Sequence, residues 1–212
     1  MESLSLLLIF WYGILHAFGP DHLTAIADFS LAKSKTKTLL ITISFAIGHG
    51  LMLFLFAKIL QIIDIPEYIT DYGDVISAVV IISMGIYLLY MVFTKQIQLR
   101  EHLHQNQSHT HIFFGKEHDH NKSMNRSAFT LGALMGVGGV RGMLITLSAV
   151  QNAEVSLLMV LFFSLGVMLI FVSFGVVISM INSYFLTNTR NVRGAFAVAG
   201  ATSIFVGTSI IF

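Results

Sequence analysis

Three residues with ionisable side chains lie close together inside the first apolar segment of the chain, as His16-Ala17-Phe18-Gly19-Pro20-Asp21-His22. Ionisable groups within a hydrophobic span are costly, and they are therefore candidates for function. On a continuous helix, His16 and Asp21 would point to different faces, because successive residues turn by about 100°. Proline interrupts the helical hydrogen bonds and glycine frees the backbone. We therefore predict a break that turns both imidazoles and the carboxylate towards one point.

A third histidine, His49, lies in the second apolar segment between Gly48 and Gly50. Small residues allow helices to approach closely in a membrane, so His49 can reach the first segment. Three imidazoles and a carboxylate, without sulfur, suit Ni²⁺, Co²⁺, Zn²⁺ or Cu²⁺ rather than Cu⁺. The alternative is that each histidine is a hydrogen-bonded packing residue. The predicted intramembrane metal site consists of His16, Asp21, His22 and His49.

Six of the nine histidines occur in one hydrophilic stretch as three His-x-His pairs. A histidine-rich tract with few apolar residues is typical of a flexible metal-binding segment, which would collect or sense metal. The alternative is a solvated loop, or one that responds to pH. The residues are His102, His104, His109, His111, His118 and His120.

The composition requires lipid as the solvent for most of the chain. Of the 212 residues, 55% are hydrophobic and 11% are charged, whereas soluble domains carry about 25% charged residues. This excludes a soluble enzyme and a nucleic-acid binder. The chain has no cysteine, which excludes disulfides and thiolate metal sites. It also lacks a Gly-rich phosphate loop, so energy would come from an ion gradient, the membrane potential or a partner.

Six segments are long and apolar enough to span a bilayer. We interpret the first as a retained span rather than a cleaved signal, because it contains polar residues. Lysine and arginine are concentrated in the connections after the first, third and fifth spans, which predicts that these connections are cytoplasmic and both termini are outside. The predicted spans are residues 4–27, 38–61, 75–94, 128–150, 155–182 and 195–212.

The two halves of the chain share a weak internal repeat, with offsets of 118 to 122 residues. Three spans per half is an odd number, so the second half would be inverted, as in many secondary transporters. Chance similarity between glycine-dotted apolar segments is the alternative. The predicted fold is an all-α integral membrane protein of two inverted three-helix repeats. Its units are residues 1–94 with the metal motifs, the His-rich loop 95–127, and residues 128–212.

Arg141 lies in the fourth predicted span, where the repeat equates it with His22. An arginine without a partner in hydrocarbon is expensive, and Asp21 is the most attractive partner available. A second possibility is a tethered cation that helps to expel the metal by repulsion. The third possibility is that the predicted boundary of the fourth span is misplaced and that Arg141 is a snorkelling side chain.

These motifs resemble the nickel/cobalt transporter family and its efflux relatives. The family signature, a histidine, four residues and then Asp-His, corresponds to His16, Asp21 and His22, and a second family motif is similar to the segment from Phe45 to Gly50. The resemblance implies Ni²⁺ or Co²⁺ as substrate and places His49 in the metal path as well. A His-rich loop after the third span resembles the efflux branch, whereas the fourth span lacks that branch's Pro-Cys-Pro segment.

The sequence therefore predicts a permease for Ni²⁺ or Co²⁺ in the cytoplasmic membrane. It would be no enzyme and carry no cofactor, and its partners would be the metal ion and the lipid bilayer. One alternative is an exporter of a small anionic solute that uses Arg141 and helix N-termini as binding charges. Another is a membrane acyltransferase in which Asp21 orients His16. The choice between nickel, cobalt and zinc, the transport direction and the oligomeric state stay open.

Overall fold

The computed structural model describes residues 2–62, 67–95, 97–104, 107–114, 124–150 and 156–212. Within these ranges the chain forms seven α-helices and one antiparallel β-hairpin. The elements are α1 Glu2–Ala17, α2 Pro20–Ser30, α3 Lys35–Ile62, α4 Glu67–Phe93, β1 Ile97–His104, β2 Gln107–Phe114, α5 Met124–Val150, α6 Leu157–Tyr184 and α7 Thr189–Ile211.

The first predicted span is divided into two helices, which confirms the predicted break at Gly19 and Pro20. Helix α1 ends at Ala17, α2 begins at Pro20, and their axes differ in direction by 60°. Proline suits the first position of α2 because its missing N–H would have had no partner within the helix there. The chain therefore turns inside an apolar segment, and residues on either side of the turn can face each other.

Several helices have the length and composition of membrane spans. The described residues contain four such helices, or five if α1 and α2 form one bent span. Their outward faces are apolar as well, with Trp11 53% exposed and Phe205 72% exposed. The architecture is that of a helical, membrane-embedded protein. Helix α5 covers the predicted fourth span, but its side chains from residue 140 onward lie outside the described set, so the count of six remains a prediction.

Part of the His-rich loop that the sequence predicts over residues 95–127 contains two strands. Strands β1 and β2 pair there as an antiparallel hairpin. The register sets Ile97 opposite Phe114 and Leu99 opposite Ile112, and β-branched and aromatic residues favour strands. The hairpin therefore contains apolar residues at paired positions as well as histidines.

Glycines allow helices from the two halves of the chain to pack backbone against backbone. A Cβ atom on Gly13 of α1 would collide with the carbonyl oxygen of Phe163 on α6, and one on Gly132 of α5 would collide with that of Phe45 on α3. Helices α4 and α7 approach each other in the same way at Gly85. Helix α1 therefore packs on α6, α3 on α5, and α4 on α7, with interfaces of small residues typical of membrane helices.

Asn182 of α6 fixes the turn that connects α2 to α3. Its side-chain amide nitrogen donates to the carbonyl oxygens of Ser30, at 2.9 Å, and Lys33, at 3.1 Å, while its oxygen accepts from the backbone N–H of Ala32 at 3.0 Å. Ala32 has a φ of 60°, which is uncommon for a residue other than glycine. The second half of the chain therefore stabilises a strained turn in the first half.

Candidate metal centre

Three histidines from three different helices meet at the break in the first span. His16 lies in the last turn of α1, His22 in the first turn of α2, and His49 in the middle of α3. The Nε2 atom of His16 lies 3.1 Å from Nε2 of His22 and 3.3 Å from Nε2 of His49. One ligand atom from each of the three lies within 4.8 Å of the others. The break therefore brings both imidazoles of the first motif together, as predicted.

Two of the three separations between these nitrogens, both from His16, match the spacing of ligands around one metal ion, and all three ligand atoms lie within 4.8 Å of one another. Imidazole nitrogen binds such ions at ~2.1 Å, so neighbouring ligands in tetrahedral or octahedral geometry are separated by ~3.0–3.4 Å. The two measured separations, 3.1 and 3.3 Å, fall within that interval. Without a metal, each nitrogen pair can share only one proton, because a neutral imidazole carries one N–H. A divalent cation would satisfy all three lone pairs at once.

Phenylalanine rings line the cluster. His22 is 2% exposed and His49 is fully buried. The ring of Phe171 lies 5.8 Å from that of His22 and 5.7 Å from that of His49, and the ring of Phe163 lies 5.3 Å from that of His16. An apolar shell of this kind limits solvent access and fixes the imidazole planes.

Asp21 contacts His22 on the side of the ring that faces away from the other two histidines. Its Oδ2 lies 2.8 Å from Nδ1 of His22, without the alignment of a regular hydrogen bond. In metal sites a carboxylate behind a histidine sets the tautomer of the ring and strengthens it as a ligand. The arrangement therefore fits Asp21 as the group that orients His22. Direct ligation by Asp21 remains a prediction from the sequence.

Gly139 of α5 also belongs to the site, and the sequence reasoning did not select it. A Cβ atom at this position would lie 2.9 Å from Nε2 of His16 and 3.3 Å from Cε1 of His49. The absence of a side chain therefore leaves the space in which the imidazoles meet. The signal in the sequence is the pair Gly138-Gly139 in the fourth predicted span.

The remaining predicted site residues fall where side chains are not described. This applies to Arg141, so its predicted pairing with Asp21 lies outside the described residues. His102, His104, His109 and His111 lie on the two strands of the hairpin, with His102 opposite His109 in the register. His118 and His120 lie outside the described residues altogether. The predicted accessory metal binding by this segment therefore remains a prediction.

Comparison with known proteins gives no match for this chain among family models, curated proteins or solved structures. The functional argument therefore depends on the chemistry and geometry of the chain's own residues. Among these, the convergence of three imidazoles inside a helical membrane protein is the feature that most needs explanation.

Proposed function

We propose that this protein is a membrane permease that moves Ni²⁺ or Co²⁺ through the site formed by His16, His22 and His49. The observation that carries the proposal is the convergence of three imidazoles whose ligand atoms lie within 4.8 Å of one another, with Nε2 of His16 at 3.1 and 3.3 Å from the other two. Nitrogen donors favour late first-row divalent ions over Mg²⁺ and Ca²⁺, and the absence of thiolate ligands disfavours Cu⁺. The resemblance of the histidine motifs to nickel/cobalt transporters agrees with this choice.

The position of the site favours transport over permanent storage of the metal. Broken helices are typical of transporters, in which they form substrate sites between packed repeats. Here the ligands His16 and His22 lie on either side of a 60° break between two helices. Three protein ligands also leave a coordination position open, as in metal sites that exchange water or substrate. An ion held in this way can leave the site when the two short helices move apart.

Reciprocal contacts between the halves support an architecture of two inverted repeats, residues 1–94 and 128–212. Gly13 contacts Phe163, and Gly132 contacts Phe45. The repeat equates Gly13 with Gly132 and Phe45 with Phe163, so the same contact is made twice with the halves exchanged. A second pair of contacts is related in the same way: Gly48 contacts Phe129, and Gly166 contacts Phe10.

In this proposal the six spans cross the cytoplasmic membrane, with both termini outside and the His-rich segment in the cytoplasm. Lysine and arginine are retained on the cytoplasmic side, and the basic connections of this chain all fall on one side of the predicted spans. The His-rich segment would then collect or receive metal at the inner mouth of the pathway. We propose that the segment is an accessory group rather than part of the transport site.

The contacts of Asp21 favour a metal site over an acyltransferase. That alternative needs the carboxylate to orient His16 as a general base. Instead, the carboxylate lies against Nδ1 of His22, and His16 faces the other two imidazoles. We therefore propose that the site binds and releases an ion without covalent chemistry.

Metal flux in reconstituted vesicles tests the proposal. Purified protein in proteoliposomes that enclose a metal-sensitive dye should transport Ni²⁺ or Co²⁺, and the flux should fall more than tenfold in His16→Ala, His22→Ala and His49→Gln. His49→Gln keeps a polar side chain and so limits the risk of misfolding. Thr208→Ala is the control, because the Thr208 hydroxyl bonds only to carbonyls of its own helix. Normal flux in the three histidine variants would contradict the proposal.

A further inference from the structure

A second ionisable group, Asp28, is buried in the bundle beyond the histidine cluster. It lies on α2, six residues after His22, and is 7% exposed. Its Oδ2 lies 2.5 Å from the hydroxyl oxygen of Ser203 on α7, and its Oδ1 has no hydrogen-bond partner within the described ranges. The sequence reasoning did not select this residue. Buried polar atoms without partners are rare in native proteins and need an explanation.

The contacts of Ser203 indicate where the proton lies. Its hydroxyl oxygen is 2.5 Å from Oδ2 of Asp28 and also 2.8 Å from the carbonyl oxygen of Ala199. A serine hydroxyl has one proton to donate, and a carbonyl oxygen can only accept. If Ser203 donates to Ala199, the proton between Ser203 and Asp28 must come from the carboxyl group. When Asp28 is protonated, each contact has a proton of its own, because the carboxyl group donates to Ser203 and Ser203 donates to Ala199.

Two cavities share Asp28 as a lining residue. The larger, of about 730 Å³, lies between α2, α6 and α7 and reaches Arg190 at the start of α7. The smaller, of about 220 Å³, lies against α4 and contains Lys33 and Tyr87. These three are the titratable side chains that line the cavities together with Asp28. Burial, and then the neighbouring Lys37, lower the pKa of Lys33, which weakens its ability to hold Asp28 ionised.

We propose that Asp28 and Ser203 form a proton-binding site that is filled and emptied through these cavities, and that its proton is exchanged for the metal ion at the histidines. On release, the carboxyl O–H bond breaks, the proton passes to water in the cavity, and Ser203 turns its hydroxyl from Ala199 to the new carboxylate. Six residues of helix separate Asp28 from His22 by ~9 Å. Loss of the proton leaves a negative charge on Asp28 that attracts a cation at the histidines, and a bound cation in turn favours loss of the proton, so each ion promotes release of the other.

The coupling part of this inference rests on the proposed function, whereas the proton site does not. Infrared difference spectroscopy on the detergent-purified protein, with and without Ni²⁺, tests the proton site. We expect the carbonyl band of a protonated carboxylic acid, diminished by Ni²⁺ and absent in Asp28→Asn. Ser203→Ala keeps the carboxyl group and should shift the band. The control is Asp74→Asn on α4. A band that is unchanged in both Asp28→Asn and Ser203→Ala would overturn the proposal.

Counting protons and metal in the same preparations tests the exchange. Addition of Ni²⁺ in weak buffer should release about one proton per ion from the wild type, and at least threefold less from Asp28→Asn at a similar nickel affinity. In proteoliposomes, a pH gradient should drive nickel flux in the wild type but not in Asp28→Asn. Loss of nickel binding in Asp28→Asn would overturn the proposal by making Asp28 a metal ligand. Absence of flux in the wild type, with the infrared band present, would contradict the proposed transport alone.

Discussion

Gly139 of α5 faces His16 of α1 so closely that a Cβ atom on the glycine would lie 2.9 Å from Nε2 of the histidine. Gly139→Ala should therefore displace the imidazole, while the helix itself tolerates alanine well. Ligand groups must be held within about 0.5 Å of their productive geometry. We expect nickel affinity, measured by titration calorimetry in detergent, to fall about tenfold.

The matched control for this prediction is Gly194→Ala on α7. A Cβ atom there would meet no atom within 4 Å, so nickel affinity should be the same as in the wild type. Equal affinities in Gly139→Ala and the wild type would show that nickel binds elsewhere than at the histidine cluster.

Replacing Asp21 by asparagine should weaken metal binding although the side chain keeps its shape. The change removes the negative charge that lies 2.8 Å from Nδ1 of His22. Loss of a carboxylate behind a histidine ligand typically reduces metal affinity by about 10- to 100-fold, and transport should fall with it. Nickel titration of Asp21→Asn against Asp74→Asn measures the effect. Wild-type affinity in Asp21→Asn would exclude both ligation and orientation by this carboxylate.

Removing residues 102–120 should leave transport in place and reduce its efficiency when metal is scarce. The hairpin follows α4 in the chain and shares no residue with the helices that carry His16, His22 and His49, so we expect the segment to affect only the supply or release of metal. Flux at saturating Ni²⁺ should match the wild type, while the concentration for half-maximal flux should rise several-fold. A version with all six histidines changed to glutamine separates loss of the ligands from loss of the segment. Complete loss of flux in folded protein would place the segment in the transport mechanism.

Asn182→Ala should lower thermal stability because three hydrogen bonds to the turn after α2 are lost together. A buried polar group left without its partner costs about 1–3 kcal/mol. The unfolding midpoint in detergent should therefore fall by several degrees. Ser183→Ala is the matched control, since the Ser183 hydroxyl donates only to Ser179 in its own helix. Equal midpoints for the two variants would contradict this role for Asn182.

The sequence predicted the helix break and the meeting of the histidines, because both depend on local rules. Proline and glycine determine where a helix stops, and intramembrane histidines need partners within reach. The orientation of Asp21, the contact of Gly139 and the pairing of Asp28 with Ser203 were not predicted. Each depends on the rotation of one helix against another, which is set by packing across the two halves. A hydrophobicity pattern that is apolar on all sides carries little information about that rotation.

The break between α1 and α2 also determines the electrostatics of the ion's position. Peptide dipoles give a helix about half a positive charge at its N-terminus and half a negative charge at its C-terminus. The C-terminus of α1 and the N-terminus of α2 meet beside the imidazoles, so their fields largely cancel there. Among the residues whose side chains are described, the carboxylate of Asp21 supplies the net charge at this point. A divalent ion would therefore be only half neutralised, which permits binding through the imidazoles but also favours its departure.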